Sequence, residues 1–162
     1  AELRIAALSE LQGFTVQPAQ RLRLAVLLKE EIKQQLVSVD ETSSRSKVIF
    51  HSDAMFQVGS ANVRPEMMGI LKRVADEIRR VNGRVAIVGH TDSLPIHKPG
   101  IADNQMLSEM RATDVANVLQ SQGVPGSYIR IEGMGDRQPV SQNDDAKGRA
   151  LNRRVEIFVT YK

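Results

Sequence analysis

No cysteine occurs in the chain, which excludes disulfides and thiolate metal sites and leaves a packed core as the main source of stability. That absence suits a reducing compartment and a secreted domain equally. Tryptophan is missing too, and four phenylalanines and two tyrosines are the whole aromatic complement. Aliphatic and methionine side chains must therefore fill the core, and no row of rings is available on which single-stranded nucleic acid could stack. A membrane span is lacking as well: near the start the longest purely apolar run is Leu24 to Leu28, far short of the ~18 residues needed. No signal-peptide pattern precedes it. The first residue is Ala1 and not Met, which reads as a processed chain or an excised piece, any membrane anchor then lying upstream.

What is present frames one domain. At 162 residues, 41% hydrophobic and 25% charged, the chain can bury one ordinary core. Its net charge is +3 and its pI about 9.4, but acids and bases are interleaved, as in Asp76-Glu77 before Arg79-Arg80. With no basic stripe, a nucleic-acid partner is not expected.

The segment from about Arg21 to Leu36 has helical spacing, Lys47 to His51 is a short β-like run, and Ala54-Met55-Phe56 reads as its continuation after Ser52-Asp53. From Pro65 the apolar positions Met68, Leu71, Ala75, Ile78 and Val81 predict a second helix, ended by Asn82-Gly83. Arg84 to Val88 reads as a central strand covered on both faces, Asp103 to about Gln122 as a third helix, and Tyr128 to Glu132 and Arg154 to Thr160 as further strands. Strands separated by helices predict an α/β fold, a two-layer sandwich with the helices packed on one mixed sheet. Residues 1–45 read as a helical extension or linker that packs on the domain or mediates self-association, and residues 46–162 as the domain itself.

The run Gly89-His90-Thr91-Asp92-Ser93 places polar groups directly after the apolar strand, although a carboxylate is costly to bury unless it is paired. His90, Asp92 and Ser93 hold the residue types of a hydrolase triad, but neighbours in one stretch cannot easily converge as nucleophile, base and orienter. His51, His90 and His97 have no ligand spacing, so neither metal nor cofactor is expected. Gly133-Met134-Gly135 lacks the third glycine and the following helix of a phosphate loop, and reads as a tight turn. In the third helix, Asn104, Leu107, Arg111, Val115 and Val118 share one stripe. Arg111 sits among inward positions and needs a partner, with Asp92 the nearest candidate because the two elements are consecutive. This is either a structural ion pair or a site for a ligand that carries both an amine and a carboxylate.

Four blocks in order, "GHTDSLPI" (89–96), "NQMLSEMRA" (104–112), "GMGDRQPVSQN" (133–143) and "GRALNRRVEI" (148–157), resemble the signatures of the OmpA-like peptidoglycan-binding domains. The likeness covers roughly residues 47 to 160. It implies a β-α-β-α-β fold and non-enzymatic binding of the diaminopimelate in the peptide stem of peptidoglycan. By the same resemblance Asp92 and Arg111 hold the ligand's charged groups, Asn104, Asn152 and Arg153 belong to the pocket, and Thr91, Ser93 and Leu107 line it. An aspartate to accept from an ammonium and an arginine fork to clamp a carboxylate are the side chains such a ligand requires. Arg149 and Arg154 read as structural.

The connection "SLPIHKPGIAD" is longer than in many members and lacks their aromatic, so the lip of the pocket differs. Together with the run from Leu27 to Glu66, it resembles the branch formed by the periplasmic extension of TssL in type VI secretion membrane complexes. That implies other secretion-complex subunits as partners and a periplasmic place in an inner-membrane-anchored protein of a Gram-negative bacterium. The alternatives are the flagellar stator branch, MotB, and a peptidoglycan hydrolase using His90 or Asp92 as base, for which no second carboxylate is apparent.

Overall fold

The computed structural model describes residues 21–161. Two short helices, α1 (Leu24–Leu27) and α2 (Lys29–Lys33), lead into strands β1 (Val37–Glu41) and β2 (Arg45–His51). A single turn α3 (Ser52–Met55) precedes helix α4 (Met68–Val81), strand β3 (Arg84–His90), helix α5 (Asn104–Ser121) and strand β4 (Ile129–Gly133). The chain closes with α6 (Ala146–Asn152) and β5 (Arg154–Thr160). The strands form one sheet in the order β1-β2-β5-β3-β4. Only β3 and β4 run parallel; the other neighbours are antiparallel.

Each main helix starts and stops where its sequence says. Pro65 opens a 3-10 turn that runs into α4, and Asn82, in the left-handed region at φ 55°, ends it. Asp103 caps α5 by accepting from the Met106 N–H at 2.8 Å, and Gly123 at φ 101° releases the chain beyond it. Leu71, Val74 and Ile78 of α4 and Ala112, Val115 and Leu119 of α5 pack with Val85 and Ile87 of β3 and Val155, Ile157 and Val159 of β5. The two-layer sandwich on a mixed sheet is the expected one.

Three local expectations are corrected. Ala54 and Met55 do not continue β2; they lie in a helical turn, and Phe56 then bridges to Val63. Met55 and Phe56 are both buried, and a strand would have pointed one of two successive side chains outward. Over Arg84–Val88, the stretch read from the sequence, β3 is covered on one face only, since Val85 and Ile87 are buried whereas Ala86 and Val88 are half-exposed. Finally, the single helix expected over 21–36 is two pieces broken at Leu28, and β1 and α6 were not expected at all.

The boundary expected at 45/46 cuts β2 one residue from its start and parts it from β1, which pairs with it from Val37↔Phe50 to Glu41↔Ser46. Leu24, Leu28 and Val37 are part of the core. Buried Glu77 of α4 accepts from the Arg23 backbone N–H at 2.8 Å and from Arg80 Nε at 2.8 Å. Arg73 holds Glu31 with two bonds, at 3.0 and 2.6 Å, and donates to the Leu27 carbonyl at 2.8 Å. Glu41 accepts from the first N–H groups of α1, at 2.8 and 3.1 Å, which have no partner within the helix.

The face of the sheet turned away from α4 and α5 carries a buried charge cluster. Glu156 accepts from Arg154 Nε at 3.1 Å and lies 2.8 Å from His90 Nε2, with Lys47 Nζ at 3.5 Å. Burial alone would raise the Glu156 pKa, but the bonds and charges of His90 and Arg154 outweigh it and hold the value at about 2.

Two expectations follow. A chain beginning at Ser46 loses four core side chains, Leu22, Leu24, Leu28 and Val37, worth about 1.5 to 3 kcal/mol each, most of an ordinary domain's stability, and should bind a hydrophobic dye and melt without cooperativity. A cooperative melt within a few degrees of the parent would show that 22–41 is dispensable. For Glu156, a folded pKa of about 2 against an ordinary 4.5 means that its stabilisation is complete above the higher value and is lost as pH falls through the lower one. Glu156→Gln should cost about 3 to 5 kcal/mol at pH 7 by leaving Arg154 unpaired. In urea titrations the gap to the parent should close between pH 4.5 and 2; a gap independent of pH would contradict the assignment.

Candidate functional site

The site lies where β3 ends, and two glycines set its geometry. Gly89 of β3 pairs with Gly133 of β4; a Cβ on the first would overlap the Ser108 carbonyl, and one on the second would press on the Glu109 backbone at 2.7 Å. Helix α5 therefore rests directly on the sheet backbone. This brings Asn104, Leu107 and Arg111 of α5 beside Thr91 and Asp92, around a cavity of about 550 Å³ whose walls include Asp53, Gly59, Ile96, Lys98 and Arg153.

Asp92 is nearly buried and is paired, but with Arg153 rather than Arg111. Arg153 Nη1 donates to Asp92 Oδ2 at 2.6 Å, while its Nε and Nη2 grip Asp53 at 2.9 and 2.8 Å. One guanidinium thus bridges two carboxylates. The bonds to Asp53 raise the Arg153 pKa the most, with those to Asp92 adding to it, and the same bonds lower that of Asp53. Asp92 Oδ1 accepts from the Leu94 N–H at 3.1 Å, which fixes the turn after Asp92. Asn104 Nδ2 secures that turn by donating to the carbonyls of Asp92 and Leu94 at 3.3 and 3.0 Å, and Thr91 Oγ1 donates to the Asp92 carbonyl at 2.8 Å.

Arg111 is the unusual group. It is 4% exposed, its Nε donates to the Ser60 carbonyl at 2.9 Å, and its guanidinium lies 4.9 Å from the centre of the Phe56 ring. Among the described residues it forms no ion pair; the pocket's two ion pairs are those of Arg153. Burial draws its pKa down to about 10, Asp53 and Asp92 pulling against burial and Arg153 acting with it. At neutral pH it remains a cation, desolvated and without a carboxylate.

Of the residues singled out from the sequence, Asp92, Arg111, Asn104, Thr91, Leu107 and Arg153 come together around the cavity. Ser93 and Asn152 do not line it. Ser93 faces a neighbouring groove with Asp103 and Arg137. Asn152 is wholly buried beneath the following loop, accepting from the Val140 and Ser141 N–H groups at 2.7 and 2.8 Å and donating to the Ser141 carbonyl at 2.9 Å. It holds the loop's shape. Arg149 donates to the Asn143 carbonyl at 3.0 Å. Sequence reasoning missed Asp53, Phe56 and Ser60, whose roles come from contacts across the fold. Among the described residues no group of three or more His, Asp or Glu side chains gathers that could hold a metal ion, and no helix is long and apolar enough to cross a membrane.

Comparisons with known proteins match the fold. The solved structure of the cell wall anchor of the type VI secretion system from Pseudomonas aeruginosa superposes with a TM-score of 0.82 at 41% identity, over 88% of this chain and 99% of that one. Outer membrane protein A of Bordetella avium is 39% identical over 115 residues, 70% of this chain and 57% of that protein. The peptidoglycan-binding protein ArfA of Mycobacterium tuberculosis is 42% identical over 100 residues, 61% of this chain and 29% of that protein. The chain thus spans little more than half of the first of these curated relatives and less than a third of the second. The sequence model of the OmpA family matches residues 55–153, from the turn beneath Arg111 to the arginine that bridges Asp53 and Asp92, and the chain belongs to that family.

Proposed function

We propose that this domain binds peptidoglycan without cleaving it, taking the diaminopimelate of the peptide stem, and so fastens a type VI secretion membrane complex to the cell wall from the periplasm. The observation that carries the reading is Arg111: a buried cation with no carboxylate, on the wall of an open cavity, beside a carboxylate held by another arginine. The free end of diaminopimelate has an ammonium and a carboxylate on one carbon. Its carboxylate would complete Arg111 with two parallel bonds, and its ammonium would donate to the lone pairs of Asp92 and Asp53 that Arg153 leaves open. The likeness to a cell wall anchor and to a peptidoglycan-binding protein supports peptidoglycan as the target. Attachment to a secretion complex rests on the first of these, and partner subunits, like self-association, would be met outside the pocket.

Each site offers a few charge-assisted bonds of about 1.5 to 3 kcal/mol, so affinity for a free stem peptide is modest and attachment to the wall gains from many linked sites. Incubated with purified sacculi, the domain should pellet with them and release no soluble fragments. Muropeptides in the supernatant would replace binding with hydrolysis.

Variants separate ligand recognition from folding. Arg111→Leu removes a desolvated charge that no carboxylate balances, so the melting temperature should hold or rise while co-sedimentation is lost. Asp92→Asn keeps the Leu94 turn and leaves Arg153 its two bonds to Asp53, so it should cost only about 1.5 kcal/mol and again abolish pelleting. Variants that melt like the parent and still pellet would remove both residues from recognition.

A further inference from the structure

The cavity has a third cation that nothing above employs. Lys98 opens the turn Lys98-Pro99-Gly100-Ile101, closed by the Ile101 N–H on the Lys98 carbonyl at 3.1 Å, with Gly100 at φ 86°. Proline second and a positive-φ glycine third are the requirements of a type II turn, so this lip is stiff. On the opposite rim a second turn, closed by the Ser60 N–H on the Gln57 carbonyl at 2.9 Å, holds Gly59 at φ 71°. The Lys98 side chain crosses to it: a Cβ on Gly59 would meet Lys98 Cδ at 3.4 Å and Nζ at 3.5 Å. Ser60, the next residue, is the one whose carbonyl holds Arg111.

A single turn thus carries a cation on either side, Arg111 inside and Lys98 at the mouth. Lys98, like Arg111, forms no ion pair among the described residues, whereas both pocket carboxylates are held by Arg153. Counted over its lining, the cavity has three full cations, Lys98, Arg111 and Arg153, against two carboxylates, Asp53 and Asp92. A zwitterionic end group would satisfy Arg111 and leave the excess positive charge at the mouth.

We infer that Lys98 is a specificity-determining residue that reads a second carboxylate, one carried on the outer part of the ligand, so that the site selects stem peptides with free carboxyl groups over amidated ones. This rests on the reading of the pocket as a stem-peptide site. The inner carboxylate sets whether binding occurs at all; the outer one grades it. At an exposed rim the contribution is small and weakened by salt.

The test uses two tripeptides, L-alanyl-γ-D-glutamyl-diaminopimelate with every carboxyl free, and the same peptide amidated everywhere except at the free amino-acid end of the diaminopimelate. Calorimetric titration of the parent at low salt should favour the free acid by about threefold, in line with an exposed ion pair. Lys98→Gln should bind both peptides as the parent binds the amide, and Lys98→Arg should keep the preference. The inference is overturned if Lys98→Gln still prefers the free acid, if it weakens both peptides equally, or if the parent shows no preference. Failure of the folded parent to bind either peptide would instead strike at the stem-peptide reading, and this inference with it.

Discussion

The site depends on how closely α5 can lie against the sheet. Gly89 and Gly133 stand side by side, and neither can carry a side chain without striking the backbone of residues 108 and 109. Because the helix touches the strands there, its first turns overhang the end of β3, and Asn104 can bond the backbone around Asp92. A helix held at an ordinary side-chain distance would carry Arg111 away from the carboxylates. The apolar half of α5, with Val115 and Leu119 in the core, then fixes the rotation that points Arg111 at the cavity.

Two arginines share this small space and do opposite things. Arg153 is committed: three of its N–H groups go to two carboxylates, and it holds both in place. Arg111 has a backbone carbonyl and a ring face, neither of which neutralises its charge. The carboxylates nearest to Arg111 are thus committed to another partner, which leaves the inner cation to whatever enters. A direct pair between Asp92 and Arg111, the arrangement that the order of the elements suggested, would have closed the site on itself.

Much of the fold was legible because its signals are local. Met68, Leu71, Ala75 and Ile78 mark α4 by spacing alone, Pro65 and Asn82-Gly83 mark its ends, and the alternation of Val155, Ile157 and Val159 marks β5. The β1 stretch Val-Ser-Val-Asp-Glu is short and polar, and it becomes a strand because Val37 reaches the core beside Phe50. Asp92 and Arg111 stood out because a carboxylate after a buried strand and an arginine on an inward stripe demand an explanation. Asp53, Phe56 and Ser60 gave no such signal: an aspartate in a turn and a phenylalanine after it look like any loop and any core residue. Asn152 and Arg153 are adjacent and were read together, yet the step from α6 into β5 turns one beneath the loop and the other toward the cavity.

The bonds from Arg153 to Asp53 join residues 100 positions apart. Contacts of such separation are entropically slow to form, and here they lie inside the pocket as well as in the pairing of β2 with β5. While the chain is being synthesised, Asp53, Asp92 and Arg111 all emerge before their bridging arginine. Until Arg153 arrives, Asp53 and Asp92 repel each other and lack the cation that separates them from Arg111. A chain that ends before Arg153 lacks the bridge between Asp53 and Asp92, and so has no finished pocket to offer.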